Sequence, residues 1–301
     1  MSYKAVCIPG DGIGPEITAA TLSILRAAGA PVEFEEHPAG VGALEKGLEV
    51  LPETTLKAIS RHKVALKGPC STPIGGGFTS VNVGLRKRLN LFAAVRPVRS
   101  LKGVPTRFEN VDLIVIRENT EGLYSGLEHE VVAGVVASLK VATEDACGRI
   151  AHWAFRFATH RRRKKITVFH KANIMKLGDG MFRRNAQRVH REDYPNIDLD
   201  ELIIDAGCMR LVQDPSRFDI LLMENLYGCG QRFMRRHGRR TGCDPGRQLR
   251  RAWGSLRGGP RLGAGYRRER HCQSIGLADV GRDYAALPGR AARGQTGRFV
   301  R

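Results

Sequence analysis

The alternation of short apolar runs with amphipathic stretches, which governs the first 228 residues, stops at Gly228, and that break limits what the chain can build more than any other feature. Upstream of it, strand-like and helix-like segments follow one another as in α/β folds. Tyr3 to Ile8 reads as a strand, and a Gly-rich turn leads from it into an amphipathic helix from about Pro15 to Ala28. A proline suits that first helical turn, where its missing N–H costs nothing. A helix near Pro52–Arg61 precedes a strand at Val64–Lys67, and Asp112–Arg117 is a further strand. Thr143–Thr159 is a helix with Thr143 as its cap. Then come a strand at Lys165–His170, a helix near Asp179–Arg191, and strands at Leu202–Asp205 and Phe218–Met223. Residues 229–301 are Arg- and Gly-rich and sustain no period of 2 or 3.6.

The charge follows the same division. A net charge of +19 would by itself point to nucleic acid. The 73 residues after Gly228 hold 18 Arg, no Lys and four acids, so they account for +14, and the preceding 228 residues carry only +5. A basic tail selected for binding nucleic acid is expected to mix Lys with Arg and to interleave aromatics. This one is Arg, Gly, Ala and Pro, the composition of GC-rich DNA translated out of frame, so no specific nucleic-acid partner is expected.

No apolar run reaches the ~18 residues needed to span a membrane, so no membrane partner is expected either. The stretch Met1–Pro9 is too short for a signal peptide and reads as a first strand. The seven cysteines, at 7, 70, 147, 208, 229, 243 and 272, form no C-x-x-C pair. That argues against zinc and against a disulfide framework, and leads us to expect reduced thiols in a cytoplasmic protein.

Four stretches carry chemistry. Pro9-Gly10-Asp11-Gly12-Ile13-Gly14-Pro15-Glu16 follows a strand and opens a helix. Gly75-Gly76-Gly77-Phe78-Thr79-Ser80-Val81-Asn82 is followed by Arg86, Arg96, Arg99 and then Arg117-Glu118-Asn119-Thr120-Glu121-Gly122-Leu123-Tyr124-Ser125-Gly126. His170-Lys171-Ala172-Asn173-Ile174-Met175-Lys176 closes a strand, and Asp205 and Glu224-Asn225-Leu226-Tyr227-Gly228 each close another. Arginines at successive strand ends suit bidentate binding of carboxylates. A desolvated amine at Lys171 suits a general base, the Tyr124 phenol suits an acid, and Asp205 is the hard oxygen ligand that Mg²⁺ or Mn²⁺ prefers.

Together these stretches resemble the β-decarboxylating dehydrogenases, which include isocitrate, isopropylmalate and homoisocitrate dehydrogenases. The resemblance covers Met1 to Gly228, and the tandem of R-E-N-T-E-G-L-Y-S-G with H-K-A-N-I-M-K is its most specific part. It implies an α/β, two-domain fold: residues 1–99 begin the large domain and 100–228 form the small domain with a dimer arm. It implies oxidation of a 2-hydroxy acid by NAD, then loss of the β-carboxylate while a divalent metal, Mg²⁺ or Mn²⁺, stabilises the enolate. By resemblance Lys171 is the base at the hydroxyl and Tyr124 reprotonates the enolate. Arg86, Arg96 and Arg117 bind carboxylates, Asp205 ligates the metal, and Ser71, Thr72 and Asn173 line the nicotinamide end of the cofactor site. Ser80 and Asn82 favour isocitrate, because polar groups built to bind a third carboxylate reject an alkyl group. A homodimer or higher oligomer is implied as well. A catalytically dead regulatory subunit is disfavoured by the retained Tyr124, Lys171 and Asp205.

After N-L-Y-G the family continues with G-D-x-x-S-D-L, which supplies two more metal-binding aspartates, and later with H-G-S/T-A-P. Here Cys229-Gly230-Gln231-Arg232 follows instead. Shifting the frame by one nucleotide through Arg239-Arg240-Thr241-Gly242-Cys243-Asp244-Pro245-Gly246 permits G-G-L-G-V-T-P-G, which is family sequence. The same shift further on permits H-G-S-A-P-D-I, whose acidic residue matches NAD-using members. A two-nucleotide deletion near codon 228 accounts for the junction. The chain as written is therefore expected to be inactive, with residues 229–301 not natively folded.

Overall fold

The computed structural model describes residues 2–72, 78, 80–100 and 107–228. The Gly-rich stretch 73–77, Thr79 and the whole tail 229–301, with the expectation that it is out of frame, lie outside the described residues. The chain divides into two compact units, with the boundary between Leu85 and Arg86.

The first unit carries β1 (Tyr3–Ile8), α1 (Gly14–Ala27), β2 (Val32–Glu36), a short α2 (Val41–Leu44), α3 (Glu53–His62) and β3 (Ala65–Lys67), and α4 (Val81–Arg88) starts within it. Its three strands are parallel in the order β2-β1-β3. The central strand buries Ala5 to Ile8 without interruption, the pattern of a strand covered on both faces. Helix α3 turns Thr55, Leu56, Ala58 and Ile59 inward at helical spacing and stops at Lys63, whose φ of 63° is left-handed.

The second unit contains β4 (Ala93–Arg99), β5 (Asp112–Glu118), β6 (Gly122–Val132), β7 (Val135–Val141), α5 (Glu144–His160), β8 (Lys165–His170), α6 (Gly178–Asp193), β9 (Asp198–Ile203), α7 (Ile204–Gln213) and β10 (Ile220–Met223), with single 3₁₀ turns at Pro215–Arg217 and Leu226–Gly228. Five strands form one sheet in the order β4-β5-β10-β8-β9, with only β4 antiparallel to its neighbour. Each face has its own core. Ile116, Ile150, Phe155, Ile166, Phe182 and Leu222 pack under α5 and α6. Leu113, Val115, Phe169, Leu211, Leu221 and Met223 fill the other side. Burying each of these larger side chains stabilises the unit by roughly 1.5–3 kcal/mol before chain entropy is counted. Thr143 caps α5 as expected, its hydroxyl accepting from the Ala146 N–H at 3.3 Å. Strands β6 and β7 form a separate antiparallel hairpin. Leu127, Val131, Val132, Val135, Val136 and Leu139 on it are exposed.

The α/β reading stands, with one local correction. The strand expected to end at Asp205 runs instead from Asp198 to Ile203, and Asp205 sits in the first turn of α7. As an edge strand half in solvent, β9 tolerates Asp198, Asp200 and Glu201, which hide it from a search for apolar runs, and an acid suits the positive end of the following helix.

Candidate active site

In the first unit the turn after β1 is clasped to the segment after β3. Asp11 is nearly buried and accepts from the backbone N–H of Gly42 at 3.1 Å and of Ser71 at 2.8 Å, while its own N–H donates to Pro69 O at 2.7 Å. Gly10 has a φ of 84°, and a Cβ there would stand 2.1 Å from Pro69 O, so only glycine allows this approach. The clasp holds Ser71 and Thr72 on an exposed segment. Ser80 is half-buried and its carbonyl accepts from Gly84 N–H at 2.9 Å, and Asn82 lies in the first turn of α4.

In the second unit Arg86, Arg117 and Tyr124 form one group. Burial, and next the neighbouring Arg117 charge, push the Arg86 pKa down from its ordinary value. The Arg117 guanidinium lies 5.4 Å from the centre of the Tyr124 ring and donates to Asn225 Oδ1 at 2.6 Å. It also packs against Gly228, where a Cβ would come within 2.2 Å of it. Asn225 in turn donates to Glu121 O at 2.6 Å. The bend before β6 is locked by Glu118, which accepts from the N–H of Thr120 and of Glu121 at 2.8 and 3.0 Å. Two guanidiniums held close together against desolvation and mutual repulsion make a receptor for an anion, with a phenol beside it. Arg96 lies on β4, paired across from Val115, and is half-buried. Arg99 is taken up by Asp112 at 3.0 Å.

Lys171 directly follows β8, and its amine is paired with the Asp205 carboxylate. About a quarter of the Lys171 side chain is exposed, against 69% for Asp205. Asn173 is exposed in the following loop. Asp205 is the only proposed metal carboxylate in the described residues, and it is engaged by an amine. Among those residues no three His, Cys, Asp or Glu side chains are placed to hold a metal ion. A single chain's described residues therefore do not make a divalent-cation site.

Behind Lys171 lies a cluster of which the residue patterns singled out Glu224 and Tyr227 but not Asp179 or Lys140. Asp179, fully buried in the first turn of α6, pairs with Lys140 from β7 and accepts from Tyr227 O–H and from Lys171 N–H, each at 2.6 Å. Lys140 also lies 2.5 Å from Glu224 Oε2, though neither Glu224 oxygen makes a well-angled hydrogen bond. Burial, and then the Asp179 charge against the opposing pull of Lys140, raise the Glu224 pKa to about 7. Burial opposes the charge on Lys140, but its pairing with the Asp179 and Glu224 carboxylates outweighs it and the pKa rises. Burial likewise opposes ionisation of Asp179, and the donors Lys140, Tyr227 and Lys171 N–H overcome it. The available signals were faint: a lysine ending a hairpin strand, and an aspartate at a helix start.

The sequence profile of isocitrate/isopropylmalate dehydrogenases matches residues 4–229. A probable NAD isocitrate dehydrogenase subunit alpha, mitochondrial, from Drosophila melanogaster is 47% identical over 225 residues, which are 75% of this chain and 59% of that protein. The chloroplastic 3-isopropylmalate dehydrogenase of Solanum tuberosum is 49% identical over 75% of this chain and 63% of its own length. Among solved structures, an isocitrate dehydrogenase from Methylococcus capsulatus superposes with a TM-score of 0.72 at 43% identity, covering 77% of this chain and 69% of the other. The chain spans about 60% of the length of the curated relatives it matches. The organellar relatives overturn the cytoplasmic expectation: scattered cysteines report redox state and not compartment, and the four in the described residues are indeed free.

Proposed function

We propose, since this chain belongs to the isocitrate/isopropylmalate dehydrogenase family, that its in-frame enzyme oxidatively decarboxylates isocitrate to 2-oxoglutarate with NAD. The observation that carries this reading is the group of Arg86, Arg117 and Tyr124, in which the Arg117 guanidinium lies over the phenol ring and Arg86 is within electrostatic reach of both. Arg86 and Arg117, with Arg96, bind the substrate carboxylates, and Ser80 and Asn82 meet the one that isopropylmalate lacks. Lys171 takes the hydroxyl proton, and Tyr124 reprotonates the enolate left when CO₂ departs from the β-carboxylate; NAD, when bound, would accept the hydride. Ser71, Thr72 and Asn173 line the nicotinamide end. Mg²⁺ or Mn²⁺ would supply charge stabilisation at the enolate, but Asp205 alone does not hold such an ion. The exposed apolar residues of the β6–β7 hairpin serve as the arm of a homodimer or higher oligomer.

The tail is read as a frameshift product, supported by its lysine-free composition and by a family match that stops at residue 229. Resequencing the gene across codons 220–240 tests this directly. If two further nucleotides are present, the restored product should reduce NAD with isocitrate and Mg²⁺ and ignore isopropylmalate. A preference for isopropylmalate, in line with the potato relative, would shift the substrate assignment within the same site. The chain as written should show neither activity, and activity in it would sink the account of the tail.

A further inference from the structure

We propose that Asp179 and Lys140 are positioning residues for Lys171, an assignment that rests on the reading of Lys171 as the base. Lys171 follows the last residue of β8, where the ladder with β9 ends at the pair His170–Ile203. Its backbone is nevertheless fixed at both ends. The carbonyl accepts from Ile174 and Met175 N–H at 3.0 and 2.9 Å, which folds the loop back onto it. The N–H donates at 2.6 Å to Asp179, whose side chain has no exposure.

Asp179 does not hold that N–H alone. Its second oxygen is paired with Lys140, and Tyr227 donates to the first, so three segments converge on one carboxylate: β7, the loop after β8 and the turn after β10. An unpaired carboxylate at this depth would take up a proton or pull in water. Lys140 keeps it ionised, and Lys140 also touches Met175 Sδ at 3.6 Å, within the same loop. With its main chain pinned, Lys171 directs its amine to Asp205. When Lys140 is replaced by an apolar side chain, Asp179 is left as a lone buried charge, the Lys171 N–H loses a fixed acceptor, and the amine leaves Asp205.

The test uses the full chain as wild type, Lys140→Met, Lys140→Arg, Asp179→Asn and the milder Tyr227→Phe. Two quantities are read at Lys171: amide hydrogen exchange, and acetylation of its amine by acetic anhydride relative to the exposed Lys4 and Lys46. Exchange at Lys171 should rise about tenfold in Lys140→Met and in Asp179→Asn, as for one net hydrogen bond lost. Acetylation should rise with it, Tyr227→Phe should give a smaller rise, and Lys140→Arg should behave as wild type. The β8 amides of Ile166 to Phe169 should not change. An unaltered Lys171 in every variant overturns the proposal. So does an equal rise across Ile166 to Phe169, or a failure of Lys140→Arg to restore the wild-type rates, since either makes the cluster merely structural. Should Asp179→Asn not fold, Tyr227→Phe and the two Lys140 variants still decide. Failure of the dehydrogenase reading would appear separately, as an in-frame product that does not reduce NAD with isocitrate, and would leave the exchange result intact.

Discussion

Replacing Glu224 by Gln should make stability less dependent on pH, and by an amount the structure sets. Glu224 is buried against Lys140 and Asp179, lies near Cys147, Glu118 and Glu121, and has its pKa raised from 4.5 to about 7. In the unfolded chain the carboxyl ionises near its ordinary value, while the folded chain retains the proton to about 7. Between those limits the native state binds more protons, so its stability contribution is complete below the unfolded pKa and is lost as pH rises through the folded one. At ~1.4 kcal/mol per unit, the loss reaches about 3 kcal/mol at most. Glutamine has nearly the same size and stays neutral, so Glu224→Gln does not incur that loss. Lys140 opposes the rise and is already included in it. Asp179 is shifted the other way, and its contribution is lost only as pH falls through its lowered pKa, below the window of interest.

The assay is urea unfolding of both chains at several pH values from about 5 to 8.5. Glu224→Gln should gain on the wild type as pH rises, by about 2–3 kcal/mol across the range. A difference that stays flat with pH would show that Glu224 is already ionised in the folded chain, and the electrostatic description of the cluster would be wrong.

Four other outcomes are expected. Phe155→Ala, at a side chain with no exposure stacked 5.6 Å from Tyr194, should cost about 3–5 kcal/mol by urea unfolding. Thr143→Ala removes the α5 cap and a 2.6 Å bond to Glu121, and should cost about 1 kcal/mol in the same measurement. Gly10→Ala collides with Pro69 O, so hydrogen exchange at the Ser71 amide, which donates to Asp11, should speed up. Arg117→Lys retains the charge but not the planar fork that reaches Asn225. In the in-frame product it should raise the KM for isocitrate by about tenfold or more.

Segments with a single strong period were legible in the sequence. Strand β8 was read with its observed ends, Lys165 and His170, and α5 began after Thr143 as expected. Among the elements that escaped, β2, β4 and the β6–β7 hairpin did so for separate physical reasons. Strand β2, Val32–Glu36, carries three glutamates on a sheet edge, where charge is tolerated and the apolar signal fades. Strand β4 contains Pro97, which argues against a strand unless, as here, it lies at an edge. The β6–β7 hairpin was noticed only as an implied arm, because its apolar residues are exposed in the single chain and so reveal no inward face.

The candidate chemistry was legible for a different reason. Arg117, Tyr124 and Lys171 lie in short motifs in which residue identity alone limits the role, whereas their supports depend on folding. Lys140 and Asp179 are 39 residues apart, Tyr227 and Asp179 are 48 apart, and Asn225 meets Arg117 across 108. Each of these is an ordinary polar residue until the strand order β5-β10-β8 brings the end of β10 between the other two. Strand β10 occupies the middle of that sheet, and Asn225 and Tyr227 follow directly from its end, so the turn that closes it serves both groups: Asn225 steadies Arg117 and Tyr227 steadies Asp179. The sequence resembles its family up to Gly228, just far enough to complete this turn.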